Sequence, residues 1–278
     1  MMNTLKLIVG IALACGSWSQ ATEAKIPQLP KGGQTHWRIE NAEEIVAYAT
    51  FDPRQVEHQL PPNFRFLKVG ELAEKGTSWA RVYLSEHPQH EDWGFSFIEI
   101  VRMDRFAIDG ISPNWAPNGA AALWFARITS FEPNREQNSE RTYLMLNFWV
   151  PDRDYVRYMK EKGYYSTYGD ASLYMKADGS WHGRLDTDNV KIEAVCYPVG
   201  RIRGGPQSTE TQVLVPPKSS KSTDIIHIAF AGHRIQDCTE ESTWIIEGEH
   251  PLSDTVIVEP STLQYGYNLN GSVYTVQW

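Results

Sequence analysis

The sequence is poor in the residues and motifs that identify the commonest enzyme classes. It has 3 cysteines in 278 residues and no CxxC or zinc-type spacing, which argues against a zinc or thioredoxin-like site. It has no G-x-S-x-G, P-loop or G-x-G-x-x-G motif, so serine-hydrolase and nucleotide-binding signatures are missing. Its 26 basic residues are outnumbered by 34 acidic ones. A net charge of −8 argues against nucleic acid or an anionic membrane as the main partner.

The first 24 residues have the three parts of an export signal. Lys6 supplies the positive start, residues 7–14 are apolar, and small residues offer cleavage after position 21 or 24. The apolar run is too short to cross a bilayer, so we expect no transmembrane helix once the signal is removed. This predicts a periplasmic or secreted protein. A lipoprotein anchored through Cys15 ranks second, because the preceding leucine lies one position too close to that cysteine.

Cys196 and Cys238 remain after signal removal. In an oxidising compartment the two thiols can pair, but two buried free cysteines fit the sequence equally well. The sequence does not give their separation, so both alternatives stay open.

Alternating apolar and polar residues predict many strands, among them residues 95–101, 142–150 and 190–197, and also residues 79–84. Asn41 followed by two acids predicts a short helix that starts at residue 41. Residues 120–126 fit either a short helix or a strand, and we favour the strand. Many strands with few helices indicate a β-rich α+β fold, and so many strands usually close or stack to hide their edges.

Residues 151–188 are the stretch around which we expect the chain to be organised. Asp152 can cap a short helix, and Gly163 can end that helix in the left-handed conformation. A loop rich in tyrosine follows and leads into a hairpin that turns at residues 177–180. A helix end, several tyrosines and two hydroxyls next to a sheet can line a small-molecule pocket, although ordinary tyrosine packing explains the same residues.

Glu99 is the most informative single carboxylate. By alternation it shares a strand face with Phe95 and Phe97. If that face is inward, Glu99 is desolvated and becomes a candidate general acid or base. If the face is outward, or if Glu99 pairs with Arg102 or another arginine, its role is structural.

Three segments, taken in order, resemble the acetoacetate decarboxylase-like superfamily. They are LPPNF at residues 60–64, GFSFIE at residues 94–99, and the helix end with its following loop at residues 160–170. The resemblance implies one domain over residues 25–278, folded as a closed cone-like antiparallel β-barrel with a few short helices and often oligomeric. It also implies that Glu99 lines the active site.

The sequence departs from that family at the residue that carries its chemistry. Tyr165 and Ser166 stand where the family has proline and the lysine that forms a Schiff base with a 3-oxo acid. Lys160, Lys162 and Lys176 are the other lysines that could replace it.

Two hypotheses follow. The first is an exported lyase that acts on a small oxo-acid or related carbonyl compound, and the second is a barrel that binds a small molecule without chemistry. Neither requires a metal or cofactor, and a homo-oligomer is compatible with both. The predicted catalytic residues are Glu99, Ser166 and Tyr164, and the predicted ligand-binding residues are Tyr168, Phe97, Lys176 and His182.

Overall fold

The computed structural model describes residues 34–116, 119–131, 142–204, 209–215, 226–231, 233–266 and 271–275. The predicted export signal and Cys15 lie outside these residues. The described chain is mostly strand, as expected, with three α-helices. The strands are β1 (Gln34–Phe51), β2 (Phe64–Phe66), β3 (Gly94–Ile108), β4 (Gly119–Ser130), β5 (Thr142–Val150), β6 (Ser166–Tyr168), β7 (Asp170–Met175), β8 (Trp181–Asp186), β9 (Val190–Cys196), β10 (Pro198–Gly204), β11 (Thr209–Val215), β12 (Ile226–Ala231), β13 (His233–Cys238), β14 (Thr243–Gly248), β15 (Val256–Gly266) and β16 (Gly271–Thr275).

The helices are α1 (Val69–Glu74), α2 (Ser78–Glu86) and α3 (Arg153–Glu161). Single 3-10 turns occur at Pro53–Gln55, Glu57–Gln59, Pro88–His90 and Pro251–Asp254. None of the helices in the described part of the chain is long and apolar enough to cross a bilayer.

The strands form two sheets. Twelve strands make a large, strongly curled half-barrel, and β14, β9, β8 and β7 make a second sheet in that order. Most neighbours in the large sheet are antiparallel, as predicted, but β5 pairs in parallel with β6 and with β11. The large sheet is therefore mixed rather than purely antiparallel.

The second sheet packs on one face of the half-barrel and forms the larger core. Ile98 and Ile100 of β3 and Trp124 of β4 share this core with Leu185 of the second sheet. Gly183 faces Ile100 there, and a Cβ at Gly183 would lie 2.9 Å from the Ile100 Cδ1 atom. The two sheets approach closely because this position has no side chain.

The opposite face of the half-barrel carries the helices at its two ends. Tyr155, Val156 and Met159 of α3 are buried in an apolar cluster on this face. At the other end, Tyr83 of α2 packs with Phe95 of β3. The part of this face that lies between α2 and α3 is called the inner face below.

Cys196 and Cys238 form a disulfide, which decides the alternative that the sequence left open. Their Cα atoms are 5.3 Å apart, and both side chains are buried. Because Cys196 ends β9 of the second sheet and Cys238 ends β13 of the half-barrel, the bond ties the two sheets together.

Two predicted elements are wrong. The helix expected from Asn41 is part of β1, where Asn41 itself has a positive φ of 49°. Pairing along β3 and β15 outweighs the local helix signal of Asn41 and its acids. The strand expected at residues 79–84 is helix α2, because Ala80 and Tyr83, three residues apart, bury one helical face.

The helix and the hairpin of residues 151–188 form as predicted, but Ser166–Tyr168 of the predicted loop is strand β6, which pairs in parallel with β5. The Asp152 carboxylate accepts hydrogen bonds from the backbone N–H groups of Asp154 and Tyr155, both at 3.0 Å. Gly163 has a φ of 91°, which places it in the left-handed region that ends a helix. The hairpin of β7 and β8 follows. The cap at Asp152, the helix end at Gly163 and the hairpin turn each depend on neighbouring residues, so the sequence was sufficient to predict them.

His250 is half-buried and packs edge-on against two buried tryptophans, and burial lowers its pKa. Its ring centre is 6.0 Å from that of Trp124 and 5.5 Å from that of Trp149, and its Nδ1 accepts the Leu252 N–H at 3.1 Å. Because the pKa of His250 in the folded chain is below its ordinary value of 6.5, the unfolded chain binds a proton at His250 more readily than the folded chain does. Neutral His250 makes its full contribution to the free energy of unfolding above pH 6.5. That contribution is lost as the pH falls from 6.5 through the lowered pKa of His250.

His250→Asn tests this dependence, because asparagine keeps an oxygen that can cap the same turn. We expect the variant to lose less stability than the wild type between pH 7.5 and pH 5. Urea denaturation at the two pH values measures the difference. Equal losses in both proteins would show that His250 does not contribute to the pH dependence.

Candidate functional site

Strand β3 places Glu99 on the inner face. Its neighbours on the same side of the strand are Phe97 and Val101, and its partners on the adjacent strands are Val46 of β1 and Leu123 of β4. These four apolar side chains are at most 6% exposed, whereas Glu99 is half-buried. A half-buried carboxyl among apolar side chains is a candidate general acid or base.

A single row of paired residues connects Glu99 to the loop after α3. Leu123 pairs with Phe148 of β5, and Phe148 pairs with Ser166 of β6. Ser166 thus lies three strands from Glu99, about 14 Å along a flat sheet. Tyr164, which is 9% exposed, belongs to the same apolar cluster as Phe97 and Phe148. The acid and the tyrosine-rich loop, 65 positions apart in sequence, therefore lie on one face.

The Ser166 hydroxyl is already used as a donor. It donates to the Phe148 carbonyl oxygen at 2.9 Å, and the serine is 1% exposed. To donate to a substrate oxygen, as the sequence hypothesis requires, this hydroxyl has to leave the Phe148 carbonyl.

The remaining predicted ligand-binding residues lie elsewhere. Tyr168 is on the surface, with the Arg153 guanidinium carbon 4.1 Å from its ring centre. Lys176 is exposed at the hairpin turn. His182 faces outward on β8, where its ring stacks on Tyr174 and its Nε2 lies 3.0 Å from the Ser180 hydroxyl. Burial, and next the nearby Lys176 charge, lower the pKa of His182.

No lysine in the described part of the chain is buried in the way that a Schiff-base amine requires. Lys162, for example, pairs with Asp109 at 2.7 Å. The described lysines, all exposed, are Lys68, Lys75, Lys160, Lys162, Lys176 and Lys191.

The structure adds polar inner-face residues that the sequence analysis missed. Glu44 and Tyr48 of β1 flank Val46 on the Glu99 side, and Glu44 pairs with Val101. Glu44 and Glu99 are thus diagonal neighbours on adjacent strands, about 7–8 Å apart at the backbone. Glu44 was assigned to a helix start, where an acid is common, so the sequence offered no signal for this pair.

One end of the inner face is held by a chain of hydrogen bonds. The buried Thr50 hydroxyl lies 2.7 Å from the Tyr83 hydroxyl, which in turn lies 2.5 Å from Nδ1 of His90. The His90 ring stacks on Trp93 with centres 3.5 Å apart. Burial raises the pKa of Tyr83 and lowers that of His90. These contacts fix α2 on β1 and therefore fix one limit of the site.

The described residues contain no cluster of three or more metal-ligating side chains. The inner face carries two half-buried carboxylates, Glu44 and Glu99, together with aromatic side chains and tyrosine hydroxyls. Such a surface can orient a small organic molecule and exchange a proton with it.

Neither a scan against protein-family models nor a search of curated proteins finds a match. Solved structures do match. An acetoacetate decarboxylase-like enzyme from Sphingomonas wittichii RW1 has a TM-score of 0.47 and 11% identity, over 88% of this chain and 95% of that chain. The enduracididine biosynthesis enzyme MppR, solved with HEPES buffer, has a TM-score of 0.46 and 10% identity, over 90% and 87%. MppR solved with pyruvate has a TM-score of 0.45 and 11% identity, over 96% and 95%. The first of these structures is described as acetoacetate decarboxylase-like, the superfamily that the motifs of this chain resemble.

Proposed function

We propose that this chain is an exported lyase that acts on a small oxo-acid or related carbonyl compound, with Glu99 as its general acid or base. The observation that carries the proposal is the half-buried Glu99 among buried Val46, Phe97, Val101 and Leu123. Tyr164 lies in the same cluster and is the proposed partner of the substrate oxygen. The pairing of β16 with both β1 and β12 supports closure of the half-barrel into a cone-like barrel around this site.

The reaction fits a carboxyl without an amine. For a 3-oxo acid, protonated Glu99 donates its proton to the keto oxygen while the bond to the carboxylate breaks. Carbon dioxide leaves, and the electron pair of the broken bond forms the C=C bond of an enol. The enol then takes up a proton from water at carbon and returns its O–H proton to the Glu99 carboxylate, which gives the ketone and restores the protonated acid. The Schiff-base route has no candidate among the described lysines, which are all exposed.

The disulfide supports export. Disulfides persist in oxidising compartments and are rare in the cytosol, so Cys196–Cys238 favours the periplasm or the outside of the cell. The predicted signal peptide at residues 1–24 would direct the chain to the export pathway. A lipid anchor at Cys15 remains the second alternative.

A product assay tests the proposal. The oxidised protein without residues 1–24 is incubated with acetoacetate, benzoylacetate or pyruvate, and proton NMR follows loss of substrate and formation of product. We expect product from at least one compound and no covalent adduct after borohydride treatment. A borohydride adduct would assign the chemistry to a lysine and contradict the role of Glu99.

A second candidate is a non-catalytic binding protein. The engaged Ser166 hydroxyl and the replaced family lysine favour it. Tryptophan fluorescence distinguishes the two: saturable binding without product supports the binding protein, and product formation excludes it. If no compound binds and no product forms, both candidates are contradicted.

A further inference from the structure

Glu44 is the second carboxylate of the inner face, and the reaction proposed above gives it no role. It lies on β1, where it pairs with Val101, while Glu99 on β3 pairs with Val46. Both glutamates are half-buried. The apolar side chains around them, Val46, Val101 and Leu123, are at most 6% exposed. The two glutamates therefore keep surface that a small molecule can contact, whereas their apolar neighbours do not.

Two carboxylates on neighbouring strands in apolar surroundings are unfavourable for stability, because like charges repel and burial disfavours the charged form. Arg127 of β4 is on the same face, four residues beyond Leu123, which is about 13 Å along the strand. Its guanidinium carbon lies 6.0 Å from the Tyr143 ring centre, so this cation is placed beside an aromatic ring at a distance from both acids. Pairs of titratable groups in apolar surroundings are characteristic of sites that transfer protons.

The proposed reaction needs proton transfer at two positions. Glu99 serves the keto oxygen, and the carbon that has lost carbon dioxide must afterwards gain a proton. Both atoms are bonded to the same carbonyl carbon, so the groups that serve them have to lie side by side and within direct reach. Diagonal neighbours on adjacent strands are about 7–8 Å apart at the backbone, a spacing from which two glutamate side chains on one face can contact one small ketone.

We infer that Glu44 is the general acid that protonates the carbon of the enol. Its carboxyl gives a proton to this carbon, and the electron pair of the C=C bond forms the new C–H bond. The enol O–H proton returns to the Glu99 carboxylate, and the electron pair of that O–H bond completes the C=O bond. Glu44 then takes a proton from water, so the proton from water reaches the carbon through Glu44. This inference rests on the proposed function and adds a second catalytic residue to it.

Exchange of ketone hydrogens tests the inference without decarboxylation. In the reverse of the last step, the Glu44 carboxylate removes a proton from carbon while Glu99 protonates the oxygen. We therefore expect the wild type in D₂O to exchange the methyl hydrogens of acetone or acetophenone faster than buffer alone does. Glu44→Gln should lower the protein-dependent exchange rate about 10²–10⁴-fold. Proton NMR measures the loss of the methyl signal.

Decarboxylation by the same variant gives the comparison. Glu44→Gln should lower decarboxylation less than exchange, because Glu99 is intact and water can protonate the enol once it is released. An equal fall in both reactions would show that Glu44 has no specific role at carbon. No wild-type exchange above the buffer rate, or unchanged exchange in Glu44→Gln, also overturns the inference.

Two further variants control for folding. Glu43→Gln changes the adjacent residue of β1, which pairs with Arg102 on the opposite side of the sheet, and it should exchange like the wild type. Glu44→Asp keeps a carboxyl on a shorter side chain, so partial exchange in this variant supports the inference even if Glu44→Gln folds poorly. An equal loss of exchange in Glu43→Gln would contradict it.

The two proposals fail separately. If exchange depends on Glu44 but no oxo-acid is decarboxylated, the pair of carboxyls acting at carbon and oxygen stands and the lyase proposal fails. If decarboxylation depends on Glu99 while exchange does not depend on Glu44, the lyase stands and the inference fails.

Discussion

Glu99→Gln is expected to lower the turnover of an active oxo-acid by about 10²–10⁴-fold, the usual contribution of a positioned acid or base. Glutamine has nearly the same size and polarity, so it keeps the packing against Val46, Phe97 and Leu123 but cannot transfer a proton. We therefore expect a large fall in kcat with little change in KM. Initial rates from the NMR assay give both constants.

Glu43→Gln is the matched control for this experiment. Glu43 lies next to Glu44 on β1 but points to the opposite side of the sheet, where it pairs with Arg102. Its variant should retain wild-type turnover. Glu44→Gln separates the two inner-face acids: if it abolishes turnover while Glu99→Gln does not, the catalytic carboxyl has been assigned to the wrong strand.

Removal of the disulfide is expected to have the largest effect on stability. The bond closes a loop of 42 residues, and the chain-entropy account gives about 4 kcal/mol for a loop of that length. It also joins β9 to β13, so its loss frees the second sheet from that point of the half-barrel. The double variant Cys196→Ala, Cys238→Ala should unfold at lower urea concentration with a similar slope.

The reduced wild type is the control, because it has the same freedom without any substitution. It should lose as much stability as the double variant. A thiol titration tests the compartment separately. Protein recovered from the periplasm should show no reactive thiol after denaturation, and protein without residues 1–24 made in a reducing cytoplasm should show two. Equal urea midpoints for the oxidised, reduced and double-variant proteins would contradict the stabilising role.

Short-range signals predicted the parts of the fold that depend on short-range contacts. Asp152 and Gly163 act within one helical turn, so their sequence positions were sufficient to delimit α3. The apolar run of β5 was predicted with its observed bounds. Where local and distant preferences disagree, the distant ones prevailed: Asn41 begins no helix, because 14 residues of β1 pair with β3.

The candidate site shows the same division. Glu99 was recognisable because it interrupts an apolar strand, and alternation grouped it with Phe95 and Phe97 without deciding whether their face is inward. Glu44 and Arg127 could not be recognised as residues of the same face from the sequence. Their positions depend on the register of β1, β4 and β5 against strands distant in sequence. Tyr168 and His182 were predicted to bind the ligand, yet their positions on β6 and β8 direct both side chains outward.

By itself, the sequence determined that the chain is β-rich, where α3 and its hairpin lie, and that one acid stands out on an apolar strand, because each of these is encoded within a few neighbouring residues. Only the tertiary structure decided that Cys196 and Cys238 pair, that β1 is a strand, and that Glu99, Tyr164 and Arg127 share one face. Those outcomes depend on which strands pair and in what register, and pairing between distant segments leaves little trace in local composition.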